Sequence, residues 1–251
     1  MNGRIDPSRP RSVALGAALV GLAGGLAAAV LLSFVGEPRI QQAINIELGR
    51  AGPSAGGQPE IVSRSVQKGV GLFAAYAVSG VAFGLLFAVA FWGLRRSRPD
   101  PFRRALVAGT VLAGALTVAP WLKYPPNPPA VGDPDTLARR QLLYVSVILL
   151  AAAWGLAAAA LSTRLQRDGW PEARRTVAVV GVVVVPLALA FALLPGAPDP
   201  IAVPAKLLWS FRLASLSGNL LLWSVIALGF GLLASERPAV PDAGPVSTRS
   251  L

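Results

Sequence analysis

The stretch VALGAALVGLAGGLAAAVLLSFV, Val13 to Val35, contains neither a charge nor a proline. A bilayer core of about 30 Å is crossed by about 20 apolar residues in a helix, so this run is long enough to span it. Arg9 and Arg11 precede it, as basic residues precede a signal peptide. The apolar run, however, exceeds the roughly 7 to 15 residues of a signal-peptide core, and "SFVGEP" at its end offers no small-x-small cleavage site. A retained transmembrane helix is therefore expected. Within it, Gly21 and Gly25 form a G-x-x-x-G, which lets a second helix approach closely. Gly80 and Gly84 repeat the pattern later in the chain. Among 26 glycines such spacings also arise by chance, and both are read simply as packing sites.

Five further apolar runs follow, each free of charged side chains: Gly69 to Leu94, Ala105 to Leu122, Leu142 to Leu161, Val177 to Leu194 and Leu213 to Ala234. The expected fold is an all-α integral membrane protein, a polytopic helical bundle of about six transmembrane helices, with five as the alternative. The third and fifth runs are the shortest and hold Pro120 and Pro186, so either could be a broken or re-entrant helix. One transmembrane domain, residues 13–234, is thus expected between an N-terminal tail, 1–12, and a disordered C-terminal tail, 235–251, which lacks periodicity.

Composition agrees. The 251 residues are 54% hydrophobic and 14% charged, with a mean hydropathy of +0.59, whereas a soluble domain averages about 25% charged. The net charge of +11 does not point to nucleic acid, because the basic residues sit in short clusters between apolar runs with no interleaved aromatics. Of the 23 lysines and arginines, 14 fall on the side of the termini and nine opposite. Positive charge is retained on the cytoplasmic side, which predicts cytoplasmic termini. With no cysteine, thiolate metal sites and thiol catalysis are excluded; with no histidine, the commonest metal ligand and usual general base are missing. The spans carry no acid or lysine from which to build a catalytic triad, and no Walker A phosphate loop is present, so an enzyme is not expected.

Two polar constellations remain. In KYPPNPPAVGDPDT, Lys123 to Thr136, five prolines impose an extended path, and Trp121 and Tyr124 suit an interfacial aromatic belt. Asp133 reads as an N-cap, Pro134 as the first helical residue and Asp135 as a first-turn acid four residues before Arg139. Alternatively, Asp133 and Asp135, with Glu37 after the first span, present oxygen ligands to a hard divalent cation at the mouth of a pathway. The second constellation is in LWSFRLASLSGNLLLW, where Arg212, Ser215 and Asn219 share one helical face. They are either an interhelical hydrogen-bond clamp or a pathway lining, with Arg212 expected to pair with Asp133, Asp135 or Glu37. Tyr76 with Ser79, and Gln141 with Tyr144, form smaller pairs that could face Asn219.

The segments SRSVQKGVGLF (Ser63 to Phe73), LKYPPNPPAVGDPDT (Leu122 to Thr136), LWSFRLASLSGNLLLW (Leu208 to Trp223) and GEP (Gly36 to Pro38) resemble the signature stretches of the CbtA family of predicted cobalt transporter subunits. The resemblance runs in order from about Val13 to Ala234. It implies one component of a bacterial inner-membrane cobalt importer serving cobalamin biosynthesis, with cobalt(2+) as cargo and no bound cofactor. It also implies a second component, a small one-span membrane protein with a histidine-rich terminus. Membrane lipid is the other expected partner. Members usually have five spans, and often histidines in the first outer loop, which this chain lacks; imidazole ligands would then come from the partner. The competing expectation is a scaffold or assembly protein that transports nothing and binds a small membrane protein.

Overall fold

In a computed structural model, residues 5–51, 62–96, 100–129, 131–132, 134–196, 201 and 203–235 are described. Among these the chain is helical, without strands. Six helices are long and apolar enough to cross a membrane: α1, Pro10–Val35; α3, Arg64–Arg96; α4, Pro101–Lys123; α5, Leu137–Arg167; α6, Glu172–Leu193; and α7, Ala205–Ser235. A shorter helix, α2, Glu37–Ala51, follows α1 after Gly36, which caps α1. Six spans therefore replace the five that family resemblance implied.

The helices start and stop where their ends are chemically marked. Pro10 opens α1 and Pro101 opens α4, positions where a missing N–H costs nothing. Asp100 caps α4 by accepting from the Phe102 N–H at 3.1 Å. Neither proline-bearing span is broken, contrary to the alternative raised by Pro120 and Pro186. In α4 a π-helical turn, Gly114–Val118, immediately precedes Pro120. The wider turn eases the fit of the ring and the missing donor. Pro186 lies inside an otherwise continuous α6.

The tightest contact joins α1 and α3, which run antiparallel. A Cβ added at Gly21 would meet the Gly80 carbonyl, and one at Gly25 the Tyr76 carbonyl, each well under 3.0 Å. Reciprocally, Gly80 faces the Gly21 carbonyl and Gly84 the Ala17 carbonyl. The two G-x-x-x-G patterns are thus each other's partners. Such close approach brings Cα–H groups against carbonyl oxygens and increases dispersion, which drives helix association where lipid removes the hydrophobic incentive. Gly24, one residue along, places α7 against the other flank of α1, 3.0 Å from a built Cβ to the Leu222 carbonyl.

Around this crossing α4 packs on α7 and α3, α5 on α4, and α6 chiefly on α5. No residue of α6 is buried by protein. The half of the core nearer the termini is apolar and aromatic. Phe87, Phe91 and Phe230 are fully buried, with centroids 5.2 Å (Phe87–Phe230) and 4.8 Å (Phe91–Phe230) apart in edge-to-face geometry. Residues 5–9 close this end: Ile5 is buried, and its N–H reaches the Leu233 carbonyl at 3.3 Å. Asp6 accepts from the Ser8 hydroxyl at 2.6 Å and from the Ser8 N–H at 2.9 Å, bonds that hold its carboxyl below the usual range.

Gly80→Leu is expected to destabilise the protein by about 3 kcal/mol or more, because the overpacked atom is backbone and cannot swing aside. Gly181→Ala in α6, where nothing lies within 4 Å, should leave stability unchanged or raise it by up to about 1 kcal/mol. Thermal unfolding of both detergent-purified variants checks the contrast.

Candidate functional site

Most long-range side-chain hydrogen bonds gather at the end of the bundle opposite the termini. The proline-rich segment after α4 crosses this end as a strap. Pro128 is fully buried, and Val131 packs with Ala43, Val203, Leu207 and Leu208 into a second small core. Gly132 adopts φ +117°, and a Cβ there would strike the Arg140 guanidinium. The backbone conformation favours glycine, while the Arg140 tip, being flexible, could yield to a side chain.

Long-range hydrogen bonds sew the strap down. The Trp121 indole donates to the Arg212 carbonyl at 3.0 Å, and Arg212 Nη2 donates to Asn127 Oδ1 at 2.9 Å. Lys123 Nζ donates to the carbonyls of Phe191 and Leu194, each at 2.8 Å. Those carbonyls lie at the C-terminal end of α6, where acceptors are unsatisfied and the helix dipole is negative, so an ammonium is doubly favoured. The Tyr124 hydroxyl donates to the Pro195 carbonyl at 2.8 Å. Burial holds this phenol above its ordinary value, with Arg139 acting weakly in the opposite direction, so it remains a donor at neutral pH.

The expected site residues divide. Arg212, Ser215 and Asn219 lie along one half-buried face of α7, as their spacing requires; the Asn219 amide donates to the Ser215 carbonyl at 2.9 Å. Arg212 is held by Asn127 and sits 5.7 Å from the Trp209 ring. Its expected pairing with Glu37 is not formed: Glu37 is instead ion-paired to Arg64, both side chains being mostly buried, at 14% and 22% exposed. Glu37 is the first residue of α2, close to the start of α3. Tyr76 is half-buried with its carbonyl in the glycine crossing, whereas Ser79 is exposed. The face of α3 turned to α1 runs through Gly80 and Gly84, which rotates Ser79 away from the interior. Asp135 is exposed on a 3₁₀ turn, Pro134–Thr136, and the α-helical part of the run begins at Leu137. Asp133 lies outside the described residues. Among the described residues no three acids come together as a metal-binding group.

Two further contacts could not be anticipated from the sequence. Asn127 is the one residue within PPNPP whose side chain can accept from Arg212, and that position was its only signal. Thr117 accepts from the Trp223 indole at 3.1 Å in the bundle interior, where the two side chains are 8% and 2% exposed. Thr117 belongs to the π-turn of α4, and Trp223 stands just before another π-turn of α7, Val225–Gly229.

Six apolar helices tied at one end by a polar strap define a polytopic α-helical membrane protein. More particularly, the chain belongs to the family of probable cobalt transporter subunits (CbtA), which it matches over residues 11–235. The family is one of transporter components, not an enzyme class, and a component implies a partner. No curated protein and no solved structure matches the chain.

Asn127→Ala and Arg212→Gln should each cost about 1.5 to 3 kcal/mol, the worth of a hydrogen bond to a charged group. In a double-mutant cycle monitored by thermal unfolding, their combination should cost clearly less than the sum. Strict additivity would mean that the two side chains do not interact.

Proposed function

We propose that this chain is the membrane-embedded passage of a cobalt(2+) importer in the bacterial inner membrane, with its termini cytoplasmic and the strap on the outer face. The observation that carries the reading is the polarity of the two ends, taken with membership of the family. Strap, polar face of α7 and three oxygen-bearing side chains, Ser215, Asn219 and Tyr76, lie at or toward one end; a buried aromatic cluster closes the other.

In this reading a cation enters among oxygen ligands on the outer side and leaves after Phe87, Phe91 and Phe230 separate. Weak oxygen sites suit a pathway, since the ion must also depart. Because the chain has no histidine or cysteine, capture of a first-row transition ion by imidazole falls to a small one-span partner with a histidine-rich terminus. The π-turns of α4 and α7, bridged by Thr117 and Trp223, are suitable points for the helices to flex. Asp133 and Asp135 serve as mouth carboxylates. The imported cobalt would supply cobalamin biosynthesis.

The close packing of the core favours a second reading, a scaffold that holds the partner and transports nothing. A recess of about 520 Å³ lies between α2 and the start of α7, lined by Pro38, Arg39, Gln42, Pro204, Lys206, Leu207 and Ser210. None of these belongs to the polar face formed by Ser215 and Asn219.

Labelled-cobalt uptake in cells lacking their own importers separates the readings. Co-expression with the histidine-bearing partner should give uptake that neither protein gives alone. Asp133→Ala with Asp135→Ala should abolish it at an unchanged protein level. Loss of the protein itself would instead identify the two acids as helix caps, each worth about 0.5 to 2 kcal/mol. No uptake with both proteins present in the membrane would favour the scaffold or a different substrate.

A further inference from the structure

Arg104 is the only buried charged side chain among the described residues, 5% exposed in the first turn of α4. Its guanidinium carbon lies 4.0 Å from the centroid of the Phe91 ring, and its Nε is buried without a hydrogen-bond partner. No ion pair joins it to a described carboxylate. Asp100, the nearest acid in sequence, is already committed. One oxygen accepts from the Phe102 N–H at 3.1 Å, and the other faces Arg103 Nε at 3.7 Å.

The charges around it make the imbalance worse. Arg95, Arg96 and Arg103 are all exposed at the same end of the bundle. Between residues 95 and 104 four described arginines thus accompany one engaged acid, Asp100. A buried, incompletely paired charge is strongly unfavourable, and a ring face compensates only in part.

We propose that Arg104, with Arg95 and Arg103 at its rim, binds the phosphate of an anionic phospholipid in the leaflet on the side of the termini. The height is right. α3 ends at Arg96 and α4 begins at Pro101, so both helices leave the hydrocarbon here. Trp92, with Arg95 4.8 Å from its ring centroid, marks the interfacial belt. A lipid, unlike free phosphate, also brings acyl chains that lie against the apolar surface of the bundle below the interface. Arg suits the task because its planar fork meets two phosphate oxygens at once, which a lysine ammonium does not.

The test is the unfolding temperature of the full chain in detergent, with phosphatidylglycerol, phosphatidylcholine or inorganic phosphate added. Phosphatidylglycerol should raise it more than the other two, since ligand bound only to the native state stabilises that state. Arg104→Gln should lose most of this rise, Arg104→Lys and Arg95→Gln should each lose part, and Arg174→Gln, an exposed arginine of α6, should keep it whole. If Arg104→Gln does not fold, the two partial variants carry the comparison. The proposal is overturned if those variants respond like the wild type. It is equally overturned if inorganic phosphate or phosphatidylcholine matches phosphatidylglycerol, or if no lipid shifts the wild type.

Discussion

Everything in this fold is arranged around a crossing that side chains would forbid. Between α1 and α3 backbone meets backbone, with Gly21 and Gly25 on one helix fitted to Gly80 and Gly84 on the other. In water a helix pair is held by removing apolar surface from solvent, but in lipid that incentive is absent and closeness itself must supply the attraction. The consecutive glycines 24 and 25 then let α1 serve two neighbours, α7 through one and α3 through the next. Without that pair the central helix could approach only one of them, and the aromatic cluster supplied by α3 and α7 would not close.

The two ends are held together by different chemistry. At the terminal end the fit is mainly aromatic: phenylalanines packed edge to face, Ile5 folded back over the core, and a buried arginine lying on a ring. At the far end the connections are polar and mostly directed to backbone carbonyls, as for Lys123 on α6 and Trp121 on α7. The α5–α6 hairpin shows why this matters. Since α6 buries no residue in protein, the Lys123 and Tyr124 bonds to its C-terminal end fix it to the strap by directional contacts instead of packing.

Span number and position were legible because run length and absence of charge are properties of each segment by itself. Val13 to Val35 reads as a helix whatever surrounds it, and the structure adds only the first residues from Pro10. Which polar group meets which was not legible. Arg212 and Glu37 looked like natural partners by charge, yet each is taken by a residue brought near through the path of a loop: Asn127, 85 residues from Arg212, and Arg64, 27 from Glu37. Ser79 shows the same limit. Its spacing from Tyr76 is helical, but only the position of α1 decides which side of α3 faces inward. The glycine pairs were visible as packing sites, while their mutual fit emerged only once both helices were in place.

The far end presents an electrostatic puzzle for a cation passage, because Lys123, Arg64 and Arg212 would repel a divalent ion if their charges were free. Each is instead bound to an acceptor: two helix-terminal carbonyls, a carboxylate and an amide oxygen. Their cost to an approaching ion is therefore reduced but not removed, since hydrogen bonding to neutral groups leaves the net charge in place. Of the three, only Arg64 is neutralised by an acid. An importer built on this bundle must then gain negative charge or strong donors at its mouth from outside the described core, either from the acids of the strap or from another chain. That requirement ties the transport reading to a partner more firmly than the missing histidines do alone, because it concerns the field an ion meets before it reaches any ligand.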